Sequence, residues 1–172
     1  EGESQIPETP GRIQQVWLNP ANPSAFPEAI QAVLAADMIV IGPGSLYTSI
    51  LPNLLVSDLA AAIRASRALK IFICNVATQV GETEGFTCGD HIAVIEKHLG
   101  EGLFDIVLAN NHFPDLPRAT LDWVAVNEKD EGSYPLHEAD LLDEDQPWRH
   151  DSQKLARTLF RLLQERTGPL TQ

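Results

Sequence analysis

The chain has 172 residues, 44% of them hydrophobic, with 12 basic and 24 acidic side chains and a formal charge of −12. This length suits one domain with a sizeable core. The charge opposes the phosphate contacts that dominate nucleic-acid affinity, so nucleic acid and anionic membranes are excluded as expected partners. Two cysteines and no apolar run near the ~20 residues that span a bilayer lead us to expect a cytoplasmic protein.

The first half of the chain predicts two strands and two helices. Residues 13–19 (IQQVWLN) alternate enough to predict a strand. Residues 26–37 carry apolar positions on one helical face, and the apolar run MIVIG (38–42) predicts the next strand. A second helix is predicted over 56–66, with Ser57 or Asp58 as its N-cap.

The second half predicts a continued alternation of strands and helices. Residues 70–76 (KIFICNV) form an unbroken apolar run, typical of a strand buried on both faces of a parallel sheet. The other predicted elements are a helix over 89–100, a strand over 104–111, shorter edge elements over 123–127 and 137–144, and a helix over 151–168. This order predicts an α/β fold, a three-layer Rossmann-like sandwich with a mainly parallel sheet.

Three predicted strands end in polar loops. The motifs are PGSLYTS (43–49), ATQVGET (77–83) and the Asn-Asn-His stretch at 110–112. The carboxyl ends of parallel strands lie on one edge of a sheet, where open α/β proteins place their ligands. We therefore expect these loops to converge on a single crevice.

The first loop has the composition of a phosphate or sugar site. Gly42 and Gly44 permit torsions that other residues avoid and let a ligand approach the main chain, while Ser45, Thr48 and Ser49 add hydroxyl groups. The alternative is a tight turn whose hydroxyls cap the following element. The motif lacks the spacing of a P-loop or of a dinucleotide fingerprint, so both interpretations stay open.

The second loop offers amides, hydroxyls and one carboxylate. Asn75 and Gln79 can donate and accept at once, which suits sugar or base edges, with Thr78 and Thr83 nearby. Glu82 only accepts, so it can serve as a base, a metal ligand or a hydroxyl acceptor. Alternatively, Glu82 only fixes the loop.

Three further residues are candidates for the crevice. Asp90 opens a predicted helix, where the helix dipole favours an acidic side chain whatever its function. His91 can act as an acid, a base or a phosphate donor. Asn110 can line the crevice, although Asn is also a common turn residue. The histidine spacing predicts no metal centre.

Four stretches carry a resemblance to a known family: IGPGSLYTSILPNLLV, KIFICNVATQVGETEGF, DHIAVIEKH and RHDSQKLA. The chain resembles the 2-phospho-L-lactate transferase superfamily, and most closely the gluconeogenesis factor branch of bacteria. The resemblance implies a ligand of the nucleotide type at the strand ends. The residues that match the ligand-facing motifs of the family are Gly42, Pro43, Gly44, Ser45, Thr48, Ser49, Asn53, Asn75, Thr78, Gln79, Glu82, Thr83, Asp90 and His91.

The resemblance implies two alternative functions. Gluconeogenesis factors are associated with binding of UDP-sugars, cell-wall precursor supply and cell shape, so the expected partner is a nucleotide-sugar or another phosphate-bearing small molecule. The alternative is a magnesium-dependent phosphotransferase with Glu82 and His91 as catalytic residues. The resemblance does not specify a cofactor for the sugar-binding function. Mg²⁺ is expected only if the protein is a phosphotransferase.

The glycine-rich first strand typical of the family is not in these 172 residues. Residues 1–172 are therefore expected to form a single α/β domain that corresponds to the C-terminal part of a longer family domain. Its expected protein partner is the N-terminal half or a second copy of the chain. In a third hypothesis the chain is mainly a scaffold, whose apolar segment SILPNLLV (49–56) packs against such a partner.

Overall fold

The structure is a computed structural model that describes residues 12–115, 121–127 and 134–167. The elements along the chain are α1 (Pro27–Ala35), β1 (Met38–Ile41), a π-helical turn (Leu46–Ile50) that leads into α2 (Leu51–Leu54), α3 (Ser57–Ala65), β2 (Leu69–Ile73), α4 (Cys88–Leu99), β3 (Ile106–Asn110), β4 (Leu136–Ala139) and α5 (Ser152–Thr167). This alternation confirms the predicted α/β class.

The four strands form one sheet in the order β1-β2-β3-β4, and every neighbouring pair is parallel. Met38 lies opposite Leu69, and Ile71 lies opposite Ile106. Because all four strands run in the same direction, the loops that follow β1, β2 and β3 leave the sheet at the same edge.

The core lies on both faces of the sheet. Successive side chains of β2 point to opposite faces: Phe72 belongs to the cluster that contains Leu46 and Ile95, while Ile71 and Ile73 belong to the cluster that contains Leu162 of α5. The sheet is therefore the middle of three layers, with α4 on one side and α5 on the other.

The strand predicted over residues 13–19 is wrong, because this segment has no regular secondary structure. Two of its backbone groups bond to side chains of α4. The Val16 N–H donates to His98 Nε2 at 3.3 Å, and Lys97 Nζ donates to the Gln14 carbonyl at 3.0 Å. No strand of the described sheet pairs with this segment.

Two smaller predictions also fail. The predicted edge element over 123–127 is only an isolated antiparallel bridge between Ala77 and Trp123. The helix α3 follows Val56 and has no side-chain N-cap bond, so neither Ser57 nor Asp58 caps it. The predicted edge strand near 137–144 is present as β4, over four residues.

Candidate functional site

A cavity of about 610 Å³ opens at the carboxyl edge of the sheet. It is formed by the loop after β1, the loop after β2, and the segment that leads into α5. Its lining residues are Pro43, Gly44, Ser45, Asn75, Val76, Ala77, Thr78, Gln79, Val80, Leu121, Trp148, Arg149 and His150. Two of the three predicted loops thus meet in one crevice.

Gly42 sets the path of the loop after β1. Its φ is +87°, a region that other residues rarely adopt, and a Cβ at this position would lie 2.9 Å from the Ile73 carbonyl oxygen. The side chain of Asn75 then holds Gly44, because Asn75 Nδ2 donates to the Gly44 carbonyl at 2.9 Å and the Gly44 N–H donates to Asn75 Oδ1 at 3.2 Å. The loop is therefore clamped to the end of β2.

This clamp corrects one expectation for the glycine loop. The sequence suggested main-chain amides that are open to a phosphate, but the Gly44 amide already has an acceptor in Asn75, and Pro43 has no N–H. The clamp joins residues 31 positions apart, so local sequence gives no sign of it.

A carboxylate and two hydroxyls connect the first two loops. Ser45 Oγ donates to Glu82 Oε2 at 2.5 Å, and Thr48 Oγ1 lies 2.5 Å from Ser45 Oγ and 3.4 Å from Glu82 Oε1. Glu82 is thus an acceptor for the loop hydroxyls, and it fixes the second loop against the first. Ser45 belongs both to this group and to the cavity wall.

The second loop is held by its threonines. Thr78 Oγ1 accepts from the Asp122 N–H at 3.1 Å, and Thr83 Oγ1 accepts from the Gln79 N–H at 2.9 Å. Both threonines are buried. Gln79 Oε1 is also buried, yet no described group donates to it. An unpaired buried acceptor is costly, and Gln79 is also one of the residues that line the cavity.

The segment before α5 supplies cavity residues that the sequence reasoning missed. Arg149 is exposed, and no described carboxylate pairs with it. His150 Nε2 donates to the Cys74 carbonyl at 3.2 Å, and burial lowers the pKa of its imidazole, against the effect of that hydrogen bond. Trp148 adds an aromatic ring. The available signal was a basic pair directly before the helix cap Asp151, which accepts from Gln153 and Lys154.

Two predicted site residues, Asp90 and Asn53, bond to the backbone elsewhere. Thr87 and Asp90 form a capping box at the start of α4, with Asp90 Oδ2 accepting from the Thr87 N–H at 2.8 Å. Asn53 Nδ2 donates to the Ser49 carbonyl at 2.7 Å within its own helical turn. None of Ser49, Asn53 and Asp90 lines the cavity.

His91 is buried in the protein and does not line the cavity. Its Nδ1–H donates to the Thr87 carbonyl at 2.8 Å, so Nε2 is an acceptor, and no described donor reaches it. Burial lowers the pKa of His91, opposed by the Thr87 hydrogen bond and by the charge of Asp90. The ring packs edge-on against Phe86. This geometry describes a neutral core histidine.

Asn110, at the end of β3, is buried and lies outside the cavity. Its Oδ1 accepts from the Leu141 N–H at 3.1 Å, and its Nδ2 donates to the His112 carbonyl at 2.5 Å. Asn110 therefore ties the end of β3 to the chain that follows β4. The third predicted wall of the crevice is supplied instead by residues 148–150.

Residues 12–115, 121–127 and 134–167 contain no group of three or more His, Cys, Asp or Glu side chains that could hold a metal ion. Glu82 is accompanied only by the hydroxyls of Ser45 and Thr48, and Asp90 is engaged in the helix cap. A hard cation such as Mg²⁺ prefers several oxygen ligands. The described residues therefore do not by themselves fit a Mg²⁺ site.

No single described helix is both long and apolar enough to cross a bilayer. The helices Leu46–Leu54 and Ser57–Ala65 reach the required length and composition only when taken together, and they are bent by 75° at the break between them.

An all-parallel sheet between helical layers, with a crevice at its carboxyl edge, defines a Rossmann-like α/β protein. A family model described as 2-phospho-L-lactate transferase CofD matches residues 1–167. The gluconeogenesis factor of Listeria monocytogenes is 42% identical over 97% of this chain and 54% of its own length. That of Bacillus subtilis is 38% identical over 95% of this chain and 55% of its own length.

A crystal structure of a protein of the UPF0052 family from Bacillus halodurans superposes with a TM-score of 0.84 at 37% identity, covering 91% of this chain and 54% of that one. The chain therefore belongs to the CofD family, in its gluconeogenesis factor branch, and the predicted resemblance is confirmed. It spans about half the length of these curated relatives.

Proposed function

We propose that the strand-end cavity binds a nucleotide-sugar of the UDP-sugar type, and that the protein is a cytoplasmic regulatory protein linked to cell-wall precursor supply and cell shape. The observation that carries this proposal is that one cavity is lined both by Arg149, a cation without a described carboxylate partner, and by Gln79, whose Oε1 has no described donor. The volume of about 610 Å³ lies within the range of small-molecule sites.

The lining residues suggest a role for each part of such a ligand. Arg149 would bind the diphosphate, because a guanidinium recognises phosphate through paired hydrogen bonds. Gln79 Oε1 would accept from an N–H of the base or an O–H of the sugar. The ring of Trp148 and the apolar side chains of Val80 and Leu121 would contact the rings of the ligand.

The test is calorimetry of the chain with UDP-N-acetylglucosamine. Replacing Arg149 by Gln removes the charge and is expected to weaken binding at least tenfold, since a hydrogen bond to a charged group contributes roughly 1.5–3 kcal/mol. Arg157→Gln is the matched control, because Arg157 lies on α5 and outside the cavity lining. No heat at millimolar ligand, or equal binding by the Arg149 variant, would contradict the proposal.

A second candidate is a phosphotransferase like the enzyme that gives the family its name. The contact of 2.5 Å between Ser45 Oγ and Glu82 Oε2 favours it, since it places a carboxylate, which is able to act as a general base, next to a residue of the cavity wall. Burial of His91 argues against the second proposed catalytic group. In this reading Glu82→Gln abolishes transfer to the acceptor hydroxyl, whereas an active Glu82→Gln protein rules the role out.

A further inference from the structure

The imidazole of His150 connects the candidate cavity to the end of β2. His150 lines the cavity, and its Nε2 lies 3.2 Å from the Cys74 carbonyl oxygen. A carbonyl only accepts hydrogen bonds, so Nε2 carries the proton of the neutral ring. Nδ1 is then unprotonated, and no described group donates to it. The ring therefore has one nitrogen that the fold engages and one that is open to protonation.

Contacts on both sides fix the position of this ring. The backbone of His150 forms an isolated antiparallel bridge with Leu142, which is buried. Cys74 is 1% exposed, and its own N–H donates to the Leu108 carbonyl at 2.9 Å. Because both partners of the Nε2 bond are held by the backbone, Nδ1 is the nitrogen that remains for a ligand.

Several ionisable side chains lie on the segments around His150. On the end of β2, the second loop, residues 140–149 and the start of α5, they are Cys74, Glu82, Asp140, Asp143, Glu144, Asp145, Arg149, Asp151 and Lys154. The carboxylates of Glu82, Asp143 and Asp151 already accept hydrogen bonds from neighbouring hydroxyl or N–H groups. Among the described lining residues of the cavity, Arg149 is the only one with a permanent charge.

An anion held by Arg149 would change the charge around His150. Without a ligand, burial lowers the pKa of His150, against the effect of its bond to Cys74, so the ring is neutral at neutral pH. Negative charge close to an imidazole favours the protonated form. A protonated imidazole is a donor at both nitrogens. It can therefore keep the bond to Cys74 and donate to the anion at the same time.

We propose that His150 takes up a proton from the solvent when the cavity binds its ligand, and that the protonated ring donates from Nδ1 to a phosphate oxygen while Nε2 stays on the Cys74 carbonyl. This inference rests on the proposed function, because it requires a diphosphate in the cavity. It makes binding dependent on pH, since the affinity increases as the pH falls through the range in which imidazoles titrate. In a nucleotide-sugar each phosphorus atom carries a single, strongly acidic hydroxyl, so the ligand itself does not titrate in that range.

The test is calorimetry of the chain with UDP-N-acetylglucosamine between about pH 5.5 and about pH 8, around the titration range of imidazole, in two buffers of different ionisation enthalpy. The dependence of the heat on the buffer gives the number of protons taken up. We expect a fraction of one proton near neutral pH and an affinity about tenfold lower at the highest pH than at the lowest, which corresponds to a pKa raised by about one on binding. His150→Gln retains an amide donor for the Cys74 carbonyl and is expected to abolish both effects. His137→Gln, on β4 and outside the cavity lining, is the matched control and retains them.

Two results would overturn this inference and leave the proposed function standing. They are ligand binding without proton uptake by the unsubstituted chain, and proton uptake that persists in His150→Gln. The absence of binding at every pH would overturn both. If circular dichroism shows that His150→Gln is unfolded, the nitrogen chemical shifts of the His150 ring in the unsubstituted chain decide the outcome, because a ring that stays neutral when the ligand is saturating contradicts the inference.

Discussion

Replacement of Gly42 by Ala tests whether the loop after β1 is held as described. A non-glycine residue in the left-handed region costs roughly 1–2 kcal/mol. At Gly42, where φ is +87°, the new Cβ would also lie 2.9 Å from the Ile73 carbonyl oxygen, and forced displacement of a packed neighbour costs about 1–3 kcal/mol. We therefore expect the free energy of unfolding to fall by about 2–5 kcal/mol.

Two other glycines separate these causes. Gly85 has a φ of +70° and open space where its Cβ would lie, so Gly85→Ala carries the torsional cost alone, about 1–2 kcal/mol. Gly44 has no positive φ, and its Cβ would meet Ser49 Cβ at an ordinary 3.5 Å, so Gly44→Ala is expected to change stability by at most about 1 kcal/mol. Urea unfolding followed by tryptophan fluorescence measures all three. A Gly42→Ala protein as stable as Gly85→Ala would refute the reasoning.

Three further changes test other parts of the structure. Arg64 donates to three main-chain carbonyls at the end of α4. In thermal unfolding, Arg64→Gln is therefore expected to lower the free energy of unfolding by about 1 kcal/mol more than the control Arg67→Gln does. Asn110→Ala should cost about 1–3 kcal/mol in urea unfolding, because it orphans a buried main-chain N–H, and calorimetry should find ligand binding unchanged. The lowered pKa of buried His91 means that the unfolded chain binds more protons below pH ~6.5, so stability falls as the pH drops through this window. In urea unfolding at several pH values, His91→Asn should flatten that slope by up to about 1.4 kcal/mol per pH unit. Equal losses of unfolding free energy in Arg64→Gln and Arg67→Gln would contradict the role of the Arg64 bonds. An Asn110→Ala protein of unchanged stability would contradict the role of Asn110, and an unchanged pH slope in His91→Asn would contradict that of His91.

The sheet could be predicted because its signals are local. The apolar runs of β1, β2 and β3 each end in Gly or Asn, and their alternation with helical patterns leaves few topologies other than a parallel sheet. The order of strands and helices was enough to predict that Ser45 and Gln79 meet at the carboxyl edge of the sheet. The strand predicted over 13–19 was wrong because an alternating pattern does not show which groups the backbone will bond to. In the structure, the Val16 N–H donates to a side chain of α4.

The rest of the candidate site depends on contacts between distant residues. Asn75 has the residue type of a ligand contact, but the structure uses its amide to clamp Gly44. His91 has the residue type of a catalytic group, but it is packed in the core. Arg149 enters the cavity only because the chain before α5 returns across the sheet to the loop that follows β2, where His150 contacts Cys74, a residue 76 positions away. Such placements require the folded structure.

The most direct test of the candidate site is an amide nuclear magnetic resonance titration of the isotope-labelled chain with UDP-N-acetylglucosamine. If the strand-end cavity is the ligand site, the saturable shift changes will concentrate on its three segments, at Gly44, Gln79 and Arg149. Saturable changes confined to residues remote from those segments, or none at millimolar ligand, would contradict the assignment of this cavity.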